Sequence, residues 1–230
     1  MPKSRAVSLH WPTLIAVGAV VAVALVIFFG GARAAGAGSA DDPSDFVRSF
    51  GEQVIATVAD ESLSPGRRRA VLAQVLAAGI DSRLIGRFVL AQYGRRASEA
   101  ERAEFDRLFA AGIVATYARH LGRYAGESLQ VGGAKILDDG DVIVDSRVVR
   151  PAGPAVAVEW RLHGEAGARR IVDVVIEGVS MALTLRSEYA AAIRAGGGRI
   201  EGLLVRLRAQ AATLDAEAVR VAADGDGKNN

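Results

Sequence analysis

The hydrophobic period changes partway along this chain, and that change constrains the fold more than any single motif. From Asp42 to Tyr124 apolar residues recur every three or four positions; from Glu127 to Glu177 they recur every two. The first spacing lines one stripe of a helix and the second lines one face of a strand. After Glu177 the helical spacing returns. Helices, a run of hairpin-connected strands, then helices again define an α+β architecture, with a curved, four-stranded antiparallel sheet packed against a multi-helix layer.

Local signals divide these stretches into elements. Asp42-Pro43 supplies an N-cap and a proline at the first helical position, and Val47, Phe50, Val54 and Val58 follow at helical spacing. Ser64-Pro65 repeats the start signal before a helix that ends at Gly79. Asp81 is placed to cap a third helix containing Leu84, Ile85, Phe88, Val89 and Tyr93. Ser98 and Glu101 have capping-box spacing and open the longest expected helix, to about Tyr124. Strands are expected near 127–137 and 141–150 around the Asp139-Gly140 turn, then through Val156, Val158, Trp160 and Leu162, and from Arg170 to Glu177. Thr184 is the expected cap of a helix over 185–195; Gly196-Gly197-Gly198 breaks it before a last helix over 199–215. Residues 216–230 read as a flexible tail.

Residues 1–40 have the layout of a secretory signal peptide. Lys3 and Arg5 precede the 17 uncharged residues from Thr13 to Phe29, and Ala32-Arg33-Ala34 or Gly38-Ser39-Ala40 supplies a small-residue cleavage site. An uncleaved membrane anchor is the alternative, because the apolar run is near spanning length. No Arg-Arg pair precedes the run and no cysteine follows it, which argues against twin-arginine export and a lipoprotein anchor. Without Lys3, Arg5 and Arg33, the remaining 25 Lys and Arg stand against 26 Asp and Glu. The exported domain, 41–215, therefore has no electrostatic case for nucleic-acid binding. With no cysteine in the chain, its core must hold it together without disulfides.

Catalytic and metal motifs fail on inspection. Gly178-Val179-Ser180-Met181-Ala182 approaches a nucleophile elbow, but the last histidine, His163, precedes the serine, and consecutive hairpins do not make the parallel sheet an elbow needs. His120 and His163 lack ligand spacing, and Asp138-Asp139-Gly140-Asp141 is a hairpin turn before it is a calcium loop. No P-loop or dinucleotide fingerprint is present, and no cofactor is expected. Asp173 interrupts the apolar run Ile171 to Ile176, so a cone-fold enzyme using Asp173 with Tyr93 or Tyr117 stays open beside an aspartate bonded to backbone or arginine. Arg67-Arg68-Arg69 reads by default as a solvated helix start, although three arginines oppose the helix dipole, a mismatch that leaves contact with an acidic lipid surface or an acidic partner open.

Three segments carry a family resemblance: IGRFVLAQYGRRASEAERAEFDRLF (85–109), TYARHLGRYAGE (116–127) and RRIVDVVIEGVSMALTLRSEYAAAI (169–193). In this order they closely resemble the MlaC family, also called toluene-tolerance proteins, over about residues 44–208, and the branch associated with hopanoid biosynthesis looks similar too. The resemblance implies a nuclear-transport-factor-like cone with a helical extension and a lipid cavity between sheet and helices. It implies a monomeric periplasmic carrier for phospholipid, or for a hopanoid-type lipid. Its implied partners are an inner-membrane MCE-domain ABC transporter and an outer-membrane lipoprotein–porin complex. One departure stands out: the family usually has Trp where this chain has Gly94. That leaves a wider pocket, an altered partner surface or compensation by Trp160 open.

A carrier needs an apolar space in place of the bilayer interior, because each methylene withdrawn from it costs about 0.8 kcal/mol. On this reading the expected tail contacts are Phe88, Tyr93, Phe109, Tyr117, Val144, Val158, Trp160, Val174, Ile176 and Met181, with Arg147 as the headgroup contact. An adaptor whose cavity is filled by its own side chains is the third reading, since core and pocket share one composition.

Overall fold

A computed structural model describes residues 42–121 and 127–226. The chain forms α1 (Pro43–Ala59), α2 (Pro65–Gly79), α3 (Ser82–Leu90), α4 (Gln92–Arg96) and α5 (Glu99–Leu121). Strands β1 (Ser128–Ile136), β2 (Val142–Val149), β3 (Val156–His163), β4 (Arg170–Ile176) and β5 (Val179–Ser180) follow, and α6 (Met181–Ala195) and α7 (Glu201–Asp226) close the chain. Among the described residues this is an α+β fold of seven helices and one antiparallel meander in the order β1-β2-β3-β4-β5.

The expected caps form with the expected partners. Asp42 Oδ1 accepts from Ser44 N at 2.8 Å, Ser64 Oγ from Arg67 N at 3.4 Å and Asp81 Oδ1 from Leu84 N at 2.8 Å. Before α5 the capping box is complete: Glu101 Oε2 accepts from Ser98 N at 2.7 Å, and Ser98 Oγ accepts from Glu101 N at 3.2 Å. Arg68 donates to the carbonyls of Asp60 and Leu63 and so braces the α1–α2 connection.

Four expectations need correction. The helix expected to contain both Phe88 and Tyr93 breaks at Ala91, whose φ of 48° leaves the helical region, and α4 starts in a new direction. The sheet has five strands, not four. Glu177 and Gly178, at φ 48° and 79°, make a two-residue primed turn that folds Val179 and Ser180 back onto Val175 and Ile176. Ser180, not Thr184, caps α6: its Oγ accepts from Leu183 N at 3.1 Å, while Thr184 Oγ1 donates to the carbonyl of Ser180. Finally, α7 runs past residue 215 to Asp226.

The inner face of the sheet makes one core with α1 and α2. Val144, Val148, Val158 and Leu162 lie under Val47, Val54, Leu72 and Leu76. At its centre Trp160 meets Phe50 edge-on, with ring centroids 6.3 Å apart. The indole is anchored by a buried relay: Trp160 Nε1 donates to Ser146 Oγ at 2.8 Å, and Ser146 Oγ donates to the carbonyl of Val158 at 2.9 Å. A second core joins α3, α5, α6 and α7 around Phe105, Phe109, Ile193 and Leu204. Ile80 packs against both, and Asp81 N donates to the carbonyl of Ile171 at 3.0 Å, which ties the α2–α3 junction to the sheet.

The β1–β2 turn is closed by charge. Arg161 Nε donates to Asp141 Oδ2 at 2.6 Å, and His163 Nδ1 lies 2.7 Å from Asp141 Oδ1. Burial alone raises the Asp141 carboxyl, but the hydrogen bonds to His163 and Arg161 outweigh it and hold the group below its ordinary value. The stability this contributes is present above the ordinary carboxylate range and is lost as pH falls through the lowered folded value. Asp141→Asn is accordingly expected to flatten the acid side of the stability curve, read from urea melts between about pH 3 and pH 7. In the core, Ser146→Ala leaves the Trp160 N–H without its acceptor. It is expected to lower unfolding free energy by about 1–3 kcal/mol in the same melts.

Candidate lipid-binding site

The sequence-derived residues fall into three environments. Val144, Val158, Trp160 and Ile176 are sealed in the sheet core, each 2% exposed or less. Val174 and Met181 pack on that core but remain partly accessible. Phe109 is buried in the helical core, stacked on Phe105 at 5.4 Å, with Tyr93 partly buried against the same cluster. Phe88 is exposed at the surface of α3. Tyr117 is in α5 but lies outside the residues whose side chains are described.

Arg147 projects from the outer face of β2. Val144, Ser146 and Val148 alternate inward along that strand, so Asp145 and Arg147 point outward and are exposed. A bulge makes a second adjustment in β4. The register shifts between Arg161 and Leu162, and Val172 becomes the extra residue. Ile171 and Ile176 are buried in the sheet core and Val174 packs on it, whereas Val172 packs on the helical core. Val174 and Ile176 thus belong with the sheet core, and Val172, at the bulge, does not.

Sequence reasoning missed a group of apolar side chains that cover the sheet core without being sealed. Phe46 of α1, Val114 of α5, and Leu129 and Val131 of β1 join Val174 and Met181 in that state. They come from helices on one side and strands on the other. Their accessibility depends on how those layers are spaced, a property that periodicity does not encode.

Asp173 is committed to structure. Its carboxylate accepts from Ser180 Oγ at 2.5 Å, Ala182 N at 2.9 Å and Val174 N at 2.8 Å. It thus fastens the first turn of α6 to β4, and Ser180 is both the donor to Asp173 and the cap of the helix. Asp139 and Asp141 are likewise engaged by Arg161. Among the described residues no group of three or more His, Cys, Asp or Glu side chains is arranged to hold a metal.

Gly94 belongs to α4, where an added Cβ would stand 3.3 Å from the Cβ of Leu90 in the helical core. Trp160 is held in the other core and does not occupy that place.

The family model of the MlaC protein matches residues 48–209, and the chain belongs to the MlaC family. The fold is also that of a phospholipid-binding protein from Ralstonia solanacearum, solved in complex with a phospholipid. The two are 21% identical, and the alignment covers 76% of this chain and 99% of that one with a TM-score of 0.67. Among the described residues no helix is long and apolar enough to cross a membrane.

Asp173→Ala is expected to destabilise the fold by about 1–2 kcal/mol, because two donors at the start of α6 lose their acceptor. Urea unfolding followed by circular dichroism measures this. An unchanged midpoint would remove Asp173 from its clamping role.

Proposed function

We propose that this protein is a periplasmic lipid carrier that takes phospholipid between the inner and outer membranes as the soluble component of an ABC-type transport system. What carries the reading is membership of the MlaC family across residues 48–209, a span that includes the whole sheet and the helices packed on it. The protein of the same fold that was solved with a phospholipid supports it.

The apolar side chains left partly open over the sheet core suit the task. A two-chain lipid loses of order 20 kcal/mol if its tails meet water, so the carrier must offer them a continuous apolar surface. Phe46, Val114, Leu129, Val131, Val174 and Met181 supply it from both layers. Val144, Val158, Trp160 and Ile176 form the floor beneath, and separation of the layers opens the cavity. The leader, residues 1–40, directs export. The lipid is a phospholipid or a hopanoid-type molecule, and the carrier works as a monomer between an MCE-domain ABC transporter and an outer-membrane lipoprotein–porin complex.

Native mass spectrometry of the protein from its own periplasm, followed by organic extraction, is expected to show one lipid per chain and to identify it. Met181→Glu tests the site. An acidic residue suits the first turn of α6, so the variant is expected to fold and to lose that lipid. A lipid-free wild type that also takes none from vesicles would overturn the carrier.

A further inference from the structure

A groove of about 560 Å³ lies between α3–α4 on one side and α6 on the other. Arg87 and Arg95 rise from the first wall, Arg186 and Arg194 from the second, and Phe88 and Tyr93 contribute aromatic surface between them. Among the described residues, no acidic side chain lines it. Neither α3 nor α4 contains an Asp or Glu, and Glu188, the acidic residue of α6, has its charge interaction with Arg206 of α7. In a domain whose basic and acidic residues are nearly equal in number, four guanidinium groups gathered without a counter-charge repel one another unless an anion joins them.

Two further features show a site that is formed in advance. Arg186 lies over the Phe88 ring, 4.9 Å from its centroid, which holds the guanidinium in place while its in-plane N–H groups stay available. Ala91, also in the lining, has φ 48°, a conformation that side chains other than glycine rarely adopt. That strained residue is where the chain leaves α3 and begins α4, which carries Tyr93 and Arg95 into the groove.

We propose that this groove binds a phosphate-bearing anion. Its volume lies in the range of about 300–1,000 Å³ found for small-ligand sites, and guanidinium forks match phosphate oxygens in pairs. The charges surround one aromatic patch instead of following an extended track, which favours a compact anion over an acidic protein segment. The phosphate belongs either to a lipid headgroup in a membrane surface or to a soluble phosphate ester. The site is distinct from the tail-covering residues of the sheet core and does not rest on the carrier reading.

The test uses the full chain and its Arg87→Gln/Arg194→Gln variant. Both are titrated calorimetrically with sn-glycerol 3-phosphate and sedimented with phosphatidylcholine vesicles with and without phosphatidylglycerol. The wild type is expected to bind at least one phosphate probe, and the variant to bind it about tenfold more weakly or worse, as loss of charge-assisted contacts requires. Binding of the free ester assigns a soluble ligand; binding only to phosphatidylglycerol vesicles assigns a membrane headgroup. The variant is expected to keep its native fold by circular dichroism and its copurifying lipid, which separates this outcome from failure of the carrier. Absence of binding by the wild type, equal binding by the variant, or binding of polyglutamate in place of both phosphate probes would overturn the proposal.

Discussion

The contact between Trp160 and Phe50 organises the sheet side of this molecule. Trp160 lies at the middle of β3, the central strand of the meander, and Phe50 is on the buried stripe of α1. An indole buried there must keep its N–H satisfied, and Ser146 on the neighbouring strand does this while donating onward to the backbone of β3. The relay specifies which residue of β2 stands next to which residue of β3. Once Ser146 faces inward, the pleat places Val144 and Val148 in the core and Arg147 outside.

The helical side depends on a different device. β4 must serve two cores, and a regular strand offers its neighbours only two faces. The bulge at Val172 turns that residue toward the helices while Ile171 and Val174 remain with the sheet. Just beyond, the Glu177-Gly178 turn and the Asp173–Ser180–Ala182 hydrogen bonds convert the end of β4 into the start of α6. The segment that most resembles a catalytic elbow is thus the joint between the two layers. Its serine is occupied in capping a helix and its aspartate in holding that helix to the sheet.

On the proposed carrier reading, these arrangements separate two tasks. Sealed residues would form the floor, and the partly open apolar residues from the facing layers would meet the lipid tails. The basic groove lies away from both, on helices whose polar faces need not be apolar. Binding of an anion there, as proposed, would not compete with the apolar surface for the same side chains.

How much was legible in the residues varies with the range of the interaction. Caps at Asp42, Ser64, Asp81 and Ser98 and the alternation along β3 rest on neighbours a few positions apart, and the sequence by itself determined them. The same applies to the identity of the family, since its motifs are continuous segments. Tertiary structure decided what depends on distant partners: the break at Ala91, the bulge at Val172, the outward face of Arg147, and which apolar side chains stay open. Val158 and Val174 are the same residue type on adjacent strands, yet one is sealed and the other partly open. Composition and period place both on the inner face. What distinguishes them is the tertiary surroundings of each strand, which residue type and period do not encode.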